Sequence, residues 1–209
     1  QPCSSAASDV YKRQGLYLPN PWISAGNSNI SFLDSDQTKI NLIRNGINEE
    51  KLIVSGNVYL DKLFISKDDQ NEFKKTISKK YNLNIKNPIL LICLPHLMEH
   101  KIFDKARHWN EIDHIINSSQ EIYKDNIIFS LHPRCKVSDY FKRYPNCNFI
   151  DERLINILPS VDSFATYWSS TSVWGPLIKK PTLIFDWYGI DNLYYDCLLY
   201  TSDAADEHG

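Results

Sequence analysis

Three short stretches place chemically capable side chains close enough together to act on one ligand. In "LPHLMEHKIF", His96 and Glu99 stand three residues apart with His100 beside them. An imidazole there can hold a phosphate or pass a proton, and Glu99 can orient it; a solvated loop with ordinary polar residues accounts for the same letters. In "SLHPRCK", His132 and Arg134 flank a proline that stops the preceding strand, a pairing suited to an anionic group. In "TYWSSTSVWGPLIKKPTLIF", Ser169, Ser170, Thr171 and Ser172 directly precede a short apolar helix. One hydroxyl is enough to cap such a helix, and the others can serve a phosphate drawn to its free N–H groups. Gly56-Asn57 in "SGNVYLDKLF" is either a plain turn or a close approach of backbone to ligand. Asp186 ends the last apolar run. No H-E-x-x-H or C-x-x-C spacing occurs, so neither a metal nor a cofactor is expected.

These residues share a position: each directly follows an apolar run. Four runs, "KLIVSG" (51–56), "PILLICL" (88–94), "NIIFSLH" (126–132) and "PTLIF" (181–185), are continuously apolar, as parallel strands covered on both faces are. Shorter candidates fall at 29–34, 147–151 and 163–168. Helical patterns lie between them at 36–45, 69–81, 103–123, 137–144, 154–158 and 172–178. The alternation predicts an α/β fold, a Rossmann-like, mostly parallel, doubly wound sheet spanning 34–186 with 181–185 as an interior strand. In such a sheet ligands bind outside the carboxyl ends of the strands, where the polar residues above would gather.

Composition excludes several classes. The 209 residues carry 23 basic and 25 acidic side chains, with no basic excess that would suit a nucleic acid. The longest apolar runs fall far short of the roughly 20 residues a membrane-spanning helix needs. Of five cysteines, Cys93, Cys135 and Cys147 lie in the body of the chain without metal-ligand spacing, which favours reduced thiols and a cytoplasmic protein, at most one working at the inner face of the membrane. The two ends differ from the rest. Back-translating residues 4–14 with permitted codons, taking the reverse complement and reading it one base out of frame spells residues 197–207. Folding does not impose that relation, and the DNA string resembles a transposase sequencing adapter. Residues 1–14 and 197–209 are therefore expected to be translated adapter. On this reading 15–33 is a linker or the end of a preceding domain, and 34–196 is a Rossmann-like domain of a longer protein.

The segment "LIRNGINEEKLIVSGNVYLDKL", then His96-x-x-Glu99, "LHPR", and a Ser-rich helix start followed by "KKPTLIF" come in one order. That order resembles the C-terminal domain of GT-B fold proteins, most of all the UDP-N-acetylglucosamine 2-epimerase family and related surface-carbohydrate biosynthesis proteins. The resemblance implies a nucleotide-activated sugar as ligand and a second, N-terminal Rossmann-like domain across the cleft. It implies His96 as the active-site histidine, Ser169 and Ser170 at the diphosphate-binding helix start, and His132 beside the nucleotide. The family's arginine after that histidine is Leu97 here, its Ser-Gly-Gly turn is Ser169-Ser170-Thr171, and Trp174 and Gly175 stand where its ribose-binding glutamate is expected. The segment from Ser169 onward is also similar to the CDP-glycerol glycerophosphotransferase family, which implies an activated polyol instead. A non-catalytic GT-B docking module is the third reading.

Overall fold

The computed structural model describes residues 28–99, 103–150, 152–167 and 169–185; both expected adapter segments and Asp186 lie outside the described residues. The chain divides into two compact units at Asp61 and Lys62. In the first, β1 (Ser31–Leu33) and β2 (Leu52–Val54) pair in parallel, joined by α1 (Asp36–Arg44). Ser35 caps α1 by accepting from the Thr38 N–H at 3.2 Å. Leu33, Leu42 and Leu52 form a small core. The run at 51–56 was expected to join the main sheet; among the described residues it pairs only with β1. Its three-residue strand leaves Ile53 and Val54 exposed.

The second unit contains a five-stranded parallel sheet. Its strands are β3 (Leu90–Cys93), β4 (Ile127–Ser130), β5 (Asn148–Phe149), β6 (Ser163–Tyr167) and β7 (Thr182–Phe185). Around them run α2 (Lys67–Lys80), α3 (Lys105–Tyr123), α4 (Val137–Arg143), α5 (Leu154–Ile157) and α6 (Trp174–Leu177). The spatial order is β5-β4-β3-β6-β7, with every pair parallel. The chain thus builds outward from β3 to one edge, then returns to the other side of β3 with β6. The topological switch point lies between β3 and β6, where the expected alternation of strand and helix becomes a doubly wound sheet.

Strand alternation gives this sheet two buried faces. On one, Ile92, Phe129, Phe149 and Ala165 lie in register and pack with Ile112, Ile115 and Ile116 of α3 and Tyr140 of α4. On the other, Leu91, Ile128 and Phe164 align and are equally buried. Asp104 begins α3 by accepting from the Arg107 N–H at 2.8 Å, and Ser66 begins α2 by accepting from the Asp69 N–H at 3.1 Å. Two polar anchors set the start of β3. Asn126 donates to the carbonyls of Asn84, Asn87 and Pro88 and accepts from the Asn84 N–H. Asp162 accepts from the Ile89 N–H at 2.8 Å while holding Lys74.

The expected interior place of 181–185 is not found: β7 ends the strand order among the described residues. Its apolar run misled because Leu183, in the middle of it, is 61% exposed.

Candidate functional site

The carboxyl ends of the three central strands carry the site's most closely coupled side chains. β3 runs into the loop that bears His96, β4 into the loop that bears His132, and β6 ends on Tyr167. The rings of His96 and His132 stack in parallel, with centroids 3.7 Å apart and planes within 3°. Tyr167 meets His96 edge-on at 5.6 Å and 80°, and its hydroxyl is hydrogen-bonded to His96 Nδ1. His96 and Tyr167 therefore bridge the switch point, and His132 extends the group across β4. His96 and Tyr167 are buried; His132 is half-buried. His132 Nδ1 accepts from the Arg134 backbone N–H at 3.2 Å, which leaves Nε2 as the protonated nitrogen of the neutral ring. The Arg134 residue is exposed at the same loop.

The Ser-rich segment arrives from the opposite face of the sheet. Ser170–Val173 is a 3-10 turn that continues into α6, with Ser169 as its N-cap. Ser169 Oγ accepts from the Thr171 N–H at 3.3 Å, and Ser172 Oγ donates to the Ser169 carbonyl at 2.6 Å. Two of the four hydroxyl residues thus serve the turn itself. Thr171 does more: its side chain, with those of Ser130 and Thr166, lies near the Cys93 thiol at the end of β3 and bears on its charge state. Burial pushes the Cys93 thiol up to about 12, and these three hydroxyl partners pull the other way. This proximity sets the Ser-rich turn beside the ends of β3, β4 and β6.

Glu99 takes a different direction from the one its spacing suggested. Its side chain lies near the Cys135 thiol, and its charge is felt at Cys135, Tyr140 and His108. One carboxylate oxygen, Oε2, is buried with no hydrogen-bond partner. In the same pocket His108 Nε2 and the Tyr140 hydroxyl are 2.9 Å apart, and that hydroxyl donates to Cys135 Sγ at 3.7 Å. Burial pushes the Cys135 thiol up to about 12 and raises Tyr140, while it lowers His108 against the opposing charge of Glu99. Cys135 also donates its N–H to the His132 carbonyl at 2.8 Å, so this cluster buttresses the His132 loop.

Of the residues expected from sequence, His96 and His132 are in contact at the strand ends, Arg134 and Glu99 lie on the same loops, and Ser169, Thr171 and Ser172 form the turn that follows β6. Gly56 and Asn57 belong to the first unit. There Gly56 has φ +74°, and Asn57 Oδ1 accepts from the Tyr59 N–H at 3.2 Å in a local turn. Sequence reasoning missed Tyr167 and the Cys93, Ser130 and Thr166 cluster. The available signal for Tyr167 was its place at the carboxyl end of a strand beside the switch point. Among the described residues no group of three or more His, Cys, Asp and Glu side chains is arranged to hold a metal ion. Likewise, no helix among them is long and apolar enough to cross a membrane.

A parallel sheet of this order, wound on both faces, defines an α/β Rossmann-like domain. Solved structures agree on the fold. The Methanocaldococcus jannaschii UDP-GlcNAc 2-epimerase, in complex with UDP-GlcNAc and UDP, matches at TM-score 0.51 and 22% identity over 75% of this chain and 45% of that one. The Neisseria meningitidis UDP-GlcNAc 2-epimerase bound to UDP-GlcNAc matches at 0.56 and 17% over 86% and 55%. The wall teichoic acid polymerase TagF, soaked with CDPG, matches at 0.54 and 16% over 94% and 44%. The chain thus spans about half the length of these proteins. No protein-family profile and no curated protein sequence matches it. The fold implied by the motif order is borne out, and its structural neighbours include both UDP-GlcNAc 2-epimerases and a teichoic acid polymerase.

Proposed function

We propose that the chain is the nucleotide-binding half of a GT-B enzyme of cell-surface carbohydrate biosynthesis, acting on a nucleotide-activated sugar as a UDP-GlcNAc 2-epimerase does. The observation that carries this reading is the stacking of His96 on His132 at the carboxyl ends of β3 and β4, beside the switch point where sheets of this kind take their ligands. In the proposed site His132, Arg134, Ser169, Ser170, Thr171 and Ser172 hold the diphosphate. His96 stands nearest the sugar–phosphate oxygen that leaves in elimination and returns on re-addition. Glu99 supports the catalytic loop, and Asp186 borders the nucleotide. A further Rossmann-like domain of the parent protein supplies the opposite wall, and the enzyme works in the cytoplasm. The structural likeness to TagF and the Ser169-Ser170 turn, in place of Ser-Gly-Gly, favour a second reading in which the activated group is a polyol on CDP.

Calorimetric titration of the chain with UDP, UDP-GlcNAc, CDP and CDP-glycerol separates the readings. The first expects the uridine compounds to bind and the second the cytidine compounds. Binding of neither favours a docking module and contradicts both. Replacing Ser170 with Trp should weaken binding of the favoured nucleotide by about 1–3 kcal/mol, the loss of a charge-assisted contact. Unchanged affinity would remove this turn from the site.

A further inference from the structure

The hydrogen bond between Tyr167 and His96 specifies more than a contact. A neutral imidazole has one protonated and one bare nitrogen, and the partner of one decides the state of the other. A phenol is a good donor and a poor acceptor beside an imidazole nitrogen, so the natural polarity is Tyr167 O–H donating to His96 Nδ1. The ring's proton then resides on Nε2. His132 reaches the same state by another route, because a backbone N–H, which can only donate, occupies its Nδ1. The two rings are parallel and 3.7 Å apart, so neither can turn over without breaking the stack.

We propose that Tyr167 is a positioning residue that locks His96 in the Nε2–H tautomer, so that the stacked His96 and His132 rings act as a pair of neutral hydrogen-bond donors to the oxygens of a diphosphate. This rests on the nucleotide-binding reading for the identity of the ligand, but the tautomer is a property of the protein alone. It also assigns His96 a role. With Nδ1 occupied and Nε2 protonated, the neutral ring donates to a negatively charged leaving oxygen and does not abstract a proton as a general base. Tyr167 is suited to the task because it is held by the sheet: it lies in register with Phe185 and is buried in the core on the α3 and α4 face.

The test is long-range 1H–15N correlation NMR on the full 209-residue chain with 15N-labelled histidine, at pH 8, above the ordinary imidazole value of about 6.5. A His96→Gln sample identifies the resonances. The wild-type spectrum should show His96 with a bare Nδ1 and a protonated Nε2; a protonated Nδ1 overturns the proposal. Tyr167→Phe should convert His96 to a mixture of tautomers and weaken UDP binding about tenfold, and an unchanged tautomer in this variant also overturns it. If that variant does not fold, the wild-type spectrum still decides. Failure of the wild-type chain to bind UDP, with the tautomer as expected, counts against the uridine nucleotide reading and not against the lock.

Discussion

Gly175 sits where the Ser-rich turn becomes α6, and substituting alanine there measures how tightly that helix is seated on the sheet. A Cβ at this position would collide with Thr182 Oγ1 of β7 and lie 3.0 Å from Phe164 Cδ1 of β6, closer than a well-packed core allows. Thr182 is not free to swing away, because its hydroxyl donates to the Lys180 carbonyl at 2.9 Å. Overpacking of this kind costs about 1–3 kcal/mol. Alanine returns up to about 1 kcal/mol through helix propensity, a smaller effect than a steric overlap with two strands. The net expectation for Gly175→Ala is a loss of about 1–2 kcal/mol, or a fall in Tm of roughly 2–8 °C by thermal denaturation. Adding Thr182→Ala to Gly175→Ala removes the colliding oxygen and should recover part of the loss, a coupling that a double-mutant cycle reads directly. Equal stability of Gly175→Ala and wild type, or strict additivity with Thr182→Ala, would refute the close seating. The same geometry explains why no glutamate stands here: a long side chain at 175 has no space between α6 and the sheet.

Asn126→Ala removes four hydrogen bonds that pin the turn before β3 and should destabilise the chain by about 2–4 kcal/mol in urea denaturation. Because burial lowers the His108 value in the folded chain, the unfolded chain binds the proton more readily. Stability should therefore be full above about pH 6.5 and fall as pH drops through that value. His108→Gln should flatten the difference between urea midpoints at pH 7.5 and pH 5.5. Cys93, buried and with its thiol raised to about 12, should resist alkylation at pH 8 in the native chain and react on unfolding, as peptide mass mapping of the labelled protein will show.

The elements were legible wherever local chemistry and burial agreed. The helical pattern at 103–123 became α3 at Lys105–Tyr123, shortened because Asp104 serves as its cap. The run at 88–94 read as a two-sided strand, and β3 is buried along its whole length in the centre of the sheet. The runs at 51–56 and 181–185 carry the same apolar letters, yet Ile53 and Leu183 are exposed, since apolar content does not record how many neighbours a strand finds. In the site, His96 and His132 were legible as polar residues at strand ends. Tyr167 was not, because an aromatic ending "SFATYW" reads as core and its partner lies 71 residues away across the switch point. Nor could spacing reveal where Glu99 points. Three residues suit a partner on one helical turn, but His96 and Glu99 lie in a loop, and the buried group around Cys135 and Tyr140 claims the carboxylate.

The central claim is that the ligand site lies at the carboxyl ends of β3, β4 and β6. Amide chemical-shift mapping of the 15N-labelled chain during UDP titration tests it most directly. The account predicts saturable shifts concentrated at His96, Leu97, His132, Arg134, Tyr167 and residues 169–173, with the opposite sheet edge at Asn84, Asn126 and Asp162 unmoved. Shifts centred on that opposite edge, or no saturable shift with either UDP or CDP, would contradict it.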